Sequence, residues 1–229
     1  MLLRVLIWAV SALIWGKNVA QARSTATPAG RGDATTIDWG SIRCPAAKST
    51  ETLPTPTYGT EKGMFLVCTE LVINASPRDA YRAVFDFRAY SRWNSFVRDV
   101  ALPPEVARTP DDVHVGLSTR FTTTGIIPLL NTTSIEIVTV MKGTFDEGNS
   151  ENPYLLATWR YDDELHGTSS RSEHPSIFVD RGDGTTLHIS YETYFTGPGT
   201  LLLLPLKETL QKQFTQQALD LKAYVEKST

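Results

Sequence analysis

The sequence predicts an α+β fold in which a curved antiparallel sheet wraps around one long C-terminal helix. Three observations predict it. From Val97 to Phe195 the chain is a series of β-forming stretches separated by turn residues. From Leu206 onward, apolar residues instead recur every three or four positions. Only two short helical segments separate an opening strand from that series, so the terminal helix has the sheet as its one large partner.

Taken in order, the chain begins with a targeting pattern. Met1 to Arg4 supply a short positive start, Val5 to Trp15 form an apolar run, and Ala20-Gln21-Ala22 makes an A-x-A cleavage site. This predicts a signal peptide over 1–22 and a mature protein in the secretory pathway, secreted or lumenal. The run falls short of the roughly 18 to 20 apolar residues that cross a bilayer, so no stable membrane span is expected.

Residues 23–62 are rich in Ser, Thr, Ala, Gly and Pro and read as an irregular N-terminal arm. Trp39 and Ile42, close to Cys44, are the residues that could pin it to the domain. Cys44 and Cys68 are the two cysteines of the chain. In an oxidising lumen they suit one disulfide, which would tie the arm to the first strand. Two unpaired structural thiols are the other reading left open. Two glycosylation sequons occur, Asn74-Ala75-Ser76 and Asn131-Thr132-Thr133. Ser76 is better used as a helix cap, whereas Asn131 follows a turn at Pro128-Leu129-Leu130, so Asn131 is the more accessible acceptor.

The folded domain is expected over 63–229. Met64 to Ile73 is dense in β-formers. Ser76-Pro77-Arg78-Asp79 then starts a helix: serine caps an orphan amide, proline suits the first turn, and aspartate favours the positive helix end. Tyr81, Val84 and Phe85 follow at helical spacing, and a second short helix is expected over Ala89 to Asn94. Strands are expected at Val97–Leu102, Val115–Thr123, Ser134–Met141, Leu155–Tyr161, Ser172–Val179 and Leu187–Phe195. Arg181-Gly182-Asp183-Gly184 is a hairpin turn. After Gly197-Pro198-Gly199, the stripe Leu206, Leu210, Phe214, Gln217, Leu221 and Val225 gives the terminal helix one face to bury.

Strand alternation assigns the faces, the more apolar set being placed inward. On the last strand that set is Leu187, Ile189, Tyr191, Thr193 and Phe195, which leaves His188, Ser190, Glu192 and Tyr194 outside. Elsewhere the inward sets are Leu117, Thr119 and Phe121; Ile135, Ile137, Thr139 and Met141; and Leu155, Ala157, Trp159 and Tyr161. Glu136 falls outside, and Glu173-His174 reads as an exposed strand end. The ligand-facing residues expected from this are Phe121, Ile137, Trp159, Tyr161, Tyr191 and Phe214. Trp159 and Tyr161 read first as ordinary core, and as ligand contacts because this fold opens its core to one. Catalytic candidates are Tyr191 and Tyr161, with His188 and Glu192 as an acid/base pair should the register be the opposite one.

Composition narrows the function classes. The net charge is −3 with 22 basic and 25 acidic residues, and no basic face stands out for nucleic acid. No nucleophile elbow, H-E-x-x-H pair, phosphate loop or dinucleotide fingerprint occurs. His114, His166, His174 and His188 are scattered, so neither a metal site nor a cofactor is expected. Nothing in the sequence sets an oligomeric state.

The stretch from Ile73-Asn74-Ala75-Ser76-Pro77 to Phe87, continuing through Tyr90-Ser91-Arg92-Trp93-Asn94-Ser95-Phe96, resembles the opening of the START-like superfamily (SRPBCC) of polyketide cyclases/dehydrases and coenzyme-Q-binding proteins. Ser95 stands where proline is usual. The Gly184-Thr185-Thr186 turn, the Tyr191 to Gly197 strand end and the terminal helix match in order. The likeness covers about 63–227 and is similar to the single-domain versions common in fungi, some of natural-product pathways. It implies a helix-grip (START/Bet v 1-like) fold that encloses a hydrophobic small molecule. Two functions follow from the resemblance: a cyclase of polyketide or terpenoid biosynthesis, or a non-catalytic carrier of a lipid, sterol or quinone.

Overall fold

The computed structural model describes residues 37–61, 63–145, 152–164 and 166–228. The signal peptide expected over 1–22 and the first part of the arm lie outside the described residues.

Seven antiparallel strands form one curled sheet: β1 (Gly63–Ile73), β2 (Val97–Ala101), β3 (Ser118–Ile127), β4 (Leu130–Lys142), β5 (Tyr154–Asp162), β6 (Arg171–Asp180) and β7 (Thr186–Phe195). Their order across the sheet is β1-β7-β6-β5-β4-β3-β2. Helices α1 (Pro77–Phe85) and α2 (Tyr90–Trp93) carry the chain from β1 at one edge to β2 at the other. A meander then returns strand by strand until β7 lies beside β1. Helix α3 (Pro198–Leu203), a 3-10 turn (Leu204–Leu206) and the long α4 (Lys207–Glu226) close the chain. This is the helix-grip arrangement that the sequence predicts.

Local chemistry explains the joints. Ser76 Oγ accepts from the Asp79 amide at 3.2 Å while donating to the Asp79 carboxylate at 2.6 Å, which fixes the start of α1. The β3–β4 hairpin runs further than its sequence suggests. Gly125, at φ +81, absorbs a register shift, and both strands continue to a turn at Pro128-Leu129. At its other end β3 starts later, at Ser118, because Gly116 breaks the strand with φ +89.

Helix α4 buries Leu210, Phe214, Ala218, Leu221 and Val225 against the concave face. Side chains latch it to both sheet edges. On β1, Gln211 accepts from the Cys68 amide at 3.0 Å and donates to the Cys68 carbonyl at 2.8 Å, as a neighbouring strand would. Lys222 donates to the Val72 carbonyl at 2.6 Å, and Glu226 accepts the Asn74 amide at 2.7 Å. Toward β2, Asp220 takes the Ser95 amide at 2.9 Å.

The convex face is not left to water. Residues 37–61, irregular apart from a 3-10 turn at Trp39–Ser41, lie across it. Leu53, Trp39, Ile42 and Cys44 pack with Leu66, Leu156, Ile177, Ile189 and Tyr191 as a second hydrophobic cluster. Polar ties hold the arm in place. Thr193 donates to the Leu53 carbonyl at 2.9 Å, Thr57 donates twice to Glu173 at 2.8 and 2.9 Å, and Tyr58 donates to Asp162 at 2.6 Å.

Cys44 and Cys68 form a disulfide with their Cα atoms 5.7 Å apart. It joins the arm to β1 across a separation of 24 residues. In the chain-entropy account such a loop contributes about 3 kcal/mol. Replacing both cysteines by serine is expected to lower the unfolding free energy by about that amount in urea titrations. A loss under about 1 kcal/mol would mean that the arm's apolar packing and polar ties hold it without the bridge.

Candidate functional site

Strands β6 and β7 build the polar part of the concave face. Tyr194 lies opposite Ser172, Ser190 opposite Ser176, and His188 opposite Phe178. Ser172, His174, Ser176 and Phe178 therefore share one face with His188, Ser190, Glu192 and Tyr194. The bonds between them repeat along one diagonal. Ser172 Oγ donates to the Glu192 carboxylate, His174 Nε2 meets Ser190 Oγ at 2.8 Å, and His188 Nε2 meets Ser176 Oγ at 2.8 Å. Tyr194 also donates to Glu192, at 2.9 Å.

This face is turned to the helix. The His174 ring lies 4.8 Å from that of Phe214 on α4 and 4.6 Å from that of Trp159 on β5. Further across the sheet, Glu136 on β4 sits opposite Tyr161 on β5 and Thr119 on β3. Its carboxyl takes a hydrogen bond from Ser134 at 2.6 Å.

Burial sets the charges here. It pushes His188 down to about 3, and burial with help from His188 does the same to His174, so both rings are neutral at ordinary pH. Burial, then the nearby Glu192, pushes Glu136 up to about 8, so its carboxyl is protonated at neutral pH. Burial raises Glu192 too, against the lowering effect of Ser172 and Tyr194.

A small space between sheet and helix, about 10 Å³, is lined by Val84, Tyr90, Trp93, Trp159, His174, His188, Gln217 and Leu221 among others. That is room for about one water-sized group. The sheet's curvature suggests a wider chamber, but Phe85, Phe87, Tyr90, Phe121, Trp159 and Phe214 fill it. A larger open groove of about 370 Å³ lies between α1 and the end of α4, with Asp79, Arg82 and Asp86 on its walls. Its charges are already engaged, Arg82 with Asp111 at 3.1 Å and Asp86 with Thr109 at 2.6 Å.

Several sequence expectations are corrected by these positions. Tyr191 does not face the helix; it packs under the arm and donates to the Pro54 carbonyl. Ile137, opposite Ser118 and Arg160, is on the convex face as well. Leu187 and Ile189 belong to the convex cluster, and Thr193 and Thr139 bond arm residues or Glu173 there. Ile135 is exposed at 42%. In their place His188, Ser190, Glu192, Tyr194 and Glu136 face inward, and Glu173-His174 is buried rather than an exposed end. Phe121, Trp159 and Phe214 are in the concave core, and Tyr161 shares that face through its pairing with Glu136.

The physical reason is the arm. Placing the more apolar set inward presumes that the other face meets water, and here both faces of β6 and β7 are covered. The sequence does hold a signal for the true register. Ser172-x-His174-x-Ser176 and His188-x-Ser190-x-Glu192 are complementary sets of donors and acceptors on two neighbouring strands.

Tyr191→Phe removes one hydrogen bond to the arm and nothing from the concave face. A stability loss of about 1 kcal/mol is expected, with no change in the binding of a hydrophobic fluorescent probe. Altered probe affinity would return Tyr191 to the ligand side.

A family model described as polyketide cyclase / dehydrase and lipid transport matches residues 64–226. The chain belongs to that family. Curated proteins show no match to it in sequence. Solved structures share the fold of this cyclase/dehydrase and lipid-transport family member at low identity. A protein of Thermus thermophilus is 20% identical with a TM-score of 0.52, over 72% of this chain and 99% of its own. A hypothetical protein of Helicobacter pylori is 12% identical with a TM-score of 0.57, over 79% of this chain and 99% of its own. The Zhui aromatase/cyclase of a Streptomyces species is 7% identical with a TM-score of 0.51, over 71% of this chain and 93% of its own.

Proposed function

We propose that the protein binds a hydrophobic small molecule between the sheet and α4 and acts on it as a cyclase-type enzyme of natural-product biosynthesis, polyketide or terpenoid. The observation that carries this reading is the row of acid–base groups inside an aromatic core: neutral His174 and His188, and the protonated Glu136 on the face that also carries Glu192. A carrier whose affinity comes from buried apolar area has no use for them. Perturbed titratable groups inside a fold gather where protons are moved. In this reading the aromatic walls Phe121, Trp159 and Phe214 hold a flexible chain in the geometry that closes a ring. Glu136 gives a proton to a developing oxygen and, once ionised, takes one back from the chain, while the neutral histidines orient the chain by hydrogen bonds and Tyr161 at the same face is a further donor. Because the closed interior holds about 10 Å³, a ligand enters only as α4 and the aromatic side chains part from the sheet.

The second reading, a carrier of a lipid, sterol or quinone, draws on exposed Leu201, Leu202 and Leu204 just ahead of α4. Such an apolar lip would ease exchange with a lipid surface. Mass spectrometry of the protein purified from its own host separates the two. A co-purified open-chain molecule that the protein converts to a ring supports the cyclase. A bound lipid, sterol or quinone released unchanged overturns it in favour of the carrier.

We place the mature protein in the secretory pathway, starting near Arg23 as a 23–62 arm ahead of a 63–229 domain. The disulfide supports that compartment. Asn74 and Asn131 are both exposed, Asn131 being the fuller glycan acceptor in this reading. N-terminal sequencing and glycopeptide mapping of the secreted protein test these assignments. An intact Met1 or an unmodified Asn131 counts against them. Among the described residues no helix is long and apolar enough to cross a membrane.

A further inference from the structure

Two residues that line the small interior cavity each carry a buried polar atom without a hydrogen-bond partner. His188, 3% exposed, uses Nε2 on Ser176 Oγ, while its Nδ1 is buried without a hydrogen bond. Trp93 Nε1 is likewise buried and unpartnered. Both residues line the same space of about 10 Å³, between α2, α4 and the β6–β7 face. An unpaired buried polar group costs free energy that a ligand atom of the right kind returns.

The chemistry of the two atoms specifies that ligand atom. Trp93 Nε1 is a donor only and calls for an acceptor. His188 Nδ1 is an acceptor when Nε2 carries the ring proton, and a donor when Ser176 supplies the shared proton instead. A hydroxyl satisfies Trp93 and either tautomer of His188, because it accepts and donates at once. A carboxylate would bring a full charge to a lining that contains no lysine or arginine, with Glu192 and Glu136 on the same face. An ammonium group has nothing to offer Trp93.

From this we propose that Trp93 Nε1 and His188 Nδ1 form the polar end of the ligand site. They select an uncharged hydrophobic molecule with a hydroxyl at its inserted end, an alcohol or phenol rather than a carboxylic acid. The inference rests on the hydrophobic-ligand reading above and adds the class of molecule. Gln217, on the facing side of α4, lines the same cavity and bounds the space left for the hydroxyl.

The test uses three probes of one skeleton on the full chain at pH 7: 2-naphthol, 2-methylnaphthalene and 2-naphthoate, titrated by fluorescence. The expected result is 2-naphthol about tenfold tighter than 2-methylnaphthalene, the worth of one to two hydrogen bonds, with 2-naphthoate weakest. In His188→Phe, which keeps a ring at the position stacked on Phe178, the naphthol preference should shrink to about threefold, the share left to Trp93, while 2-methylnaphthalene still binds. Should that variant fail to fold, the wild type supplies its own readout. The ¹⁵N resonance of His188 Nδ1 should move on adding 2-naphthol and stay put with 2-methylnaphthalene. Equal affinity for those two probes, or a preference for 2-naphthoate, overturns the hydroxyl proposal and leaves the hydrophobic-ligand reading standing. If none of the three binds, both fall together.

Discussion

Trp159→Ala is expected to cost about 3 to 5 kcal/mol of stability, the full penalty for a large aromatic in a filled core. The ring is 4% exposed. It touches Phe121 at 5.9 Å, Phe87 at 6.4 Å, Phe85 at 6.5 Å and the His174 ring at 4.6 Å between centroids. A side chain on the wall of an open chamber would lose less, because part of its surface already lacks partners. The interior space of about 10 Å³ decides between these cases. Urea unfolding of the purified variant measures the outcome. A loss under about 1 kcal/mol would show that the space beside the ring is open in solution and that the protein rests in a wider state. The full loss means that ligand binding must be coupled to opening. Opening is opposed by the aromatic packing and by the Gln211, Lys222 and Asp220 latches along α4.

The architecture was legible in the sequence for a specific reason. Its elements are separated by residues with one conformational use each, such as Ser76-Pro77 at the start of α1, Gly182 and Gly184 in the β6–β7 turn, and Gly197-Pro198 before α3. The stripe of α4 was equally plain, since Leu210, Phe214, Leu221 and Val225 leave that helix one face to bury. On β3, at Leu117 just before it, and on β5 the alternation reads correctly: Leu117, Phe121, Leu155, Ala157 and Trp159 are all in the concave core. It fails on β7 and at residues 135–139 of β4, because alternation names two faces without saying what covers each. Trp39, Ile42 and Leu53 in the arm are the large apolar residues that needed a partner, and the convex side of β6 and β7 is that partner. The site was misplaced with the register. Tyr191 looked like a cavity residue because it is apolar in pattern, and His188 looked exposed because it is polar. Serines on β6 reverse that expectation by satisfying the polar set where it is buried.

Glu136→Gln is expected to make the protein more stable and, in the cyclase reading, inactive. Burial and Glu192 hold the Glu136 carboxyl at about 8 against its ordinary 4.5, so the folded state favours the neutral acid. The sign follows from linkage. A raised folded value contributes stability that is fully present below pH 4.5 and lost as pH rises through about 8. Glutamine is neutral throughout and can still accept from Ser134, so it escapes that loss. The variant and wild type should therefore match at pH 4. The gap should open above it, reach on the order of 3 kcal/mol at pH 7, and level off beyond pH 8. His174 and His188 act in the other direction. Their folded values near 3 give stability that is present above 6.5 and lost as pH falls toward 3, in both proteins alike. The difference between the two proteins thus reports Glu136 together with its coupling to Glu192. Urea titrations at pH 4, 6 and 8 read it directly, and an absent gap at pH 8 would mean that the carboxyl ionises in contact with water. Activity should move the opposite way, since glutamine has no acidic proton to give. A variant that gains stability and keeps its turnover would remove Glu136 from the acid's role.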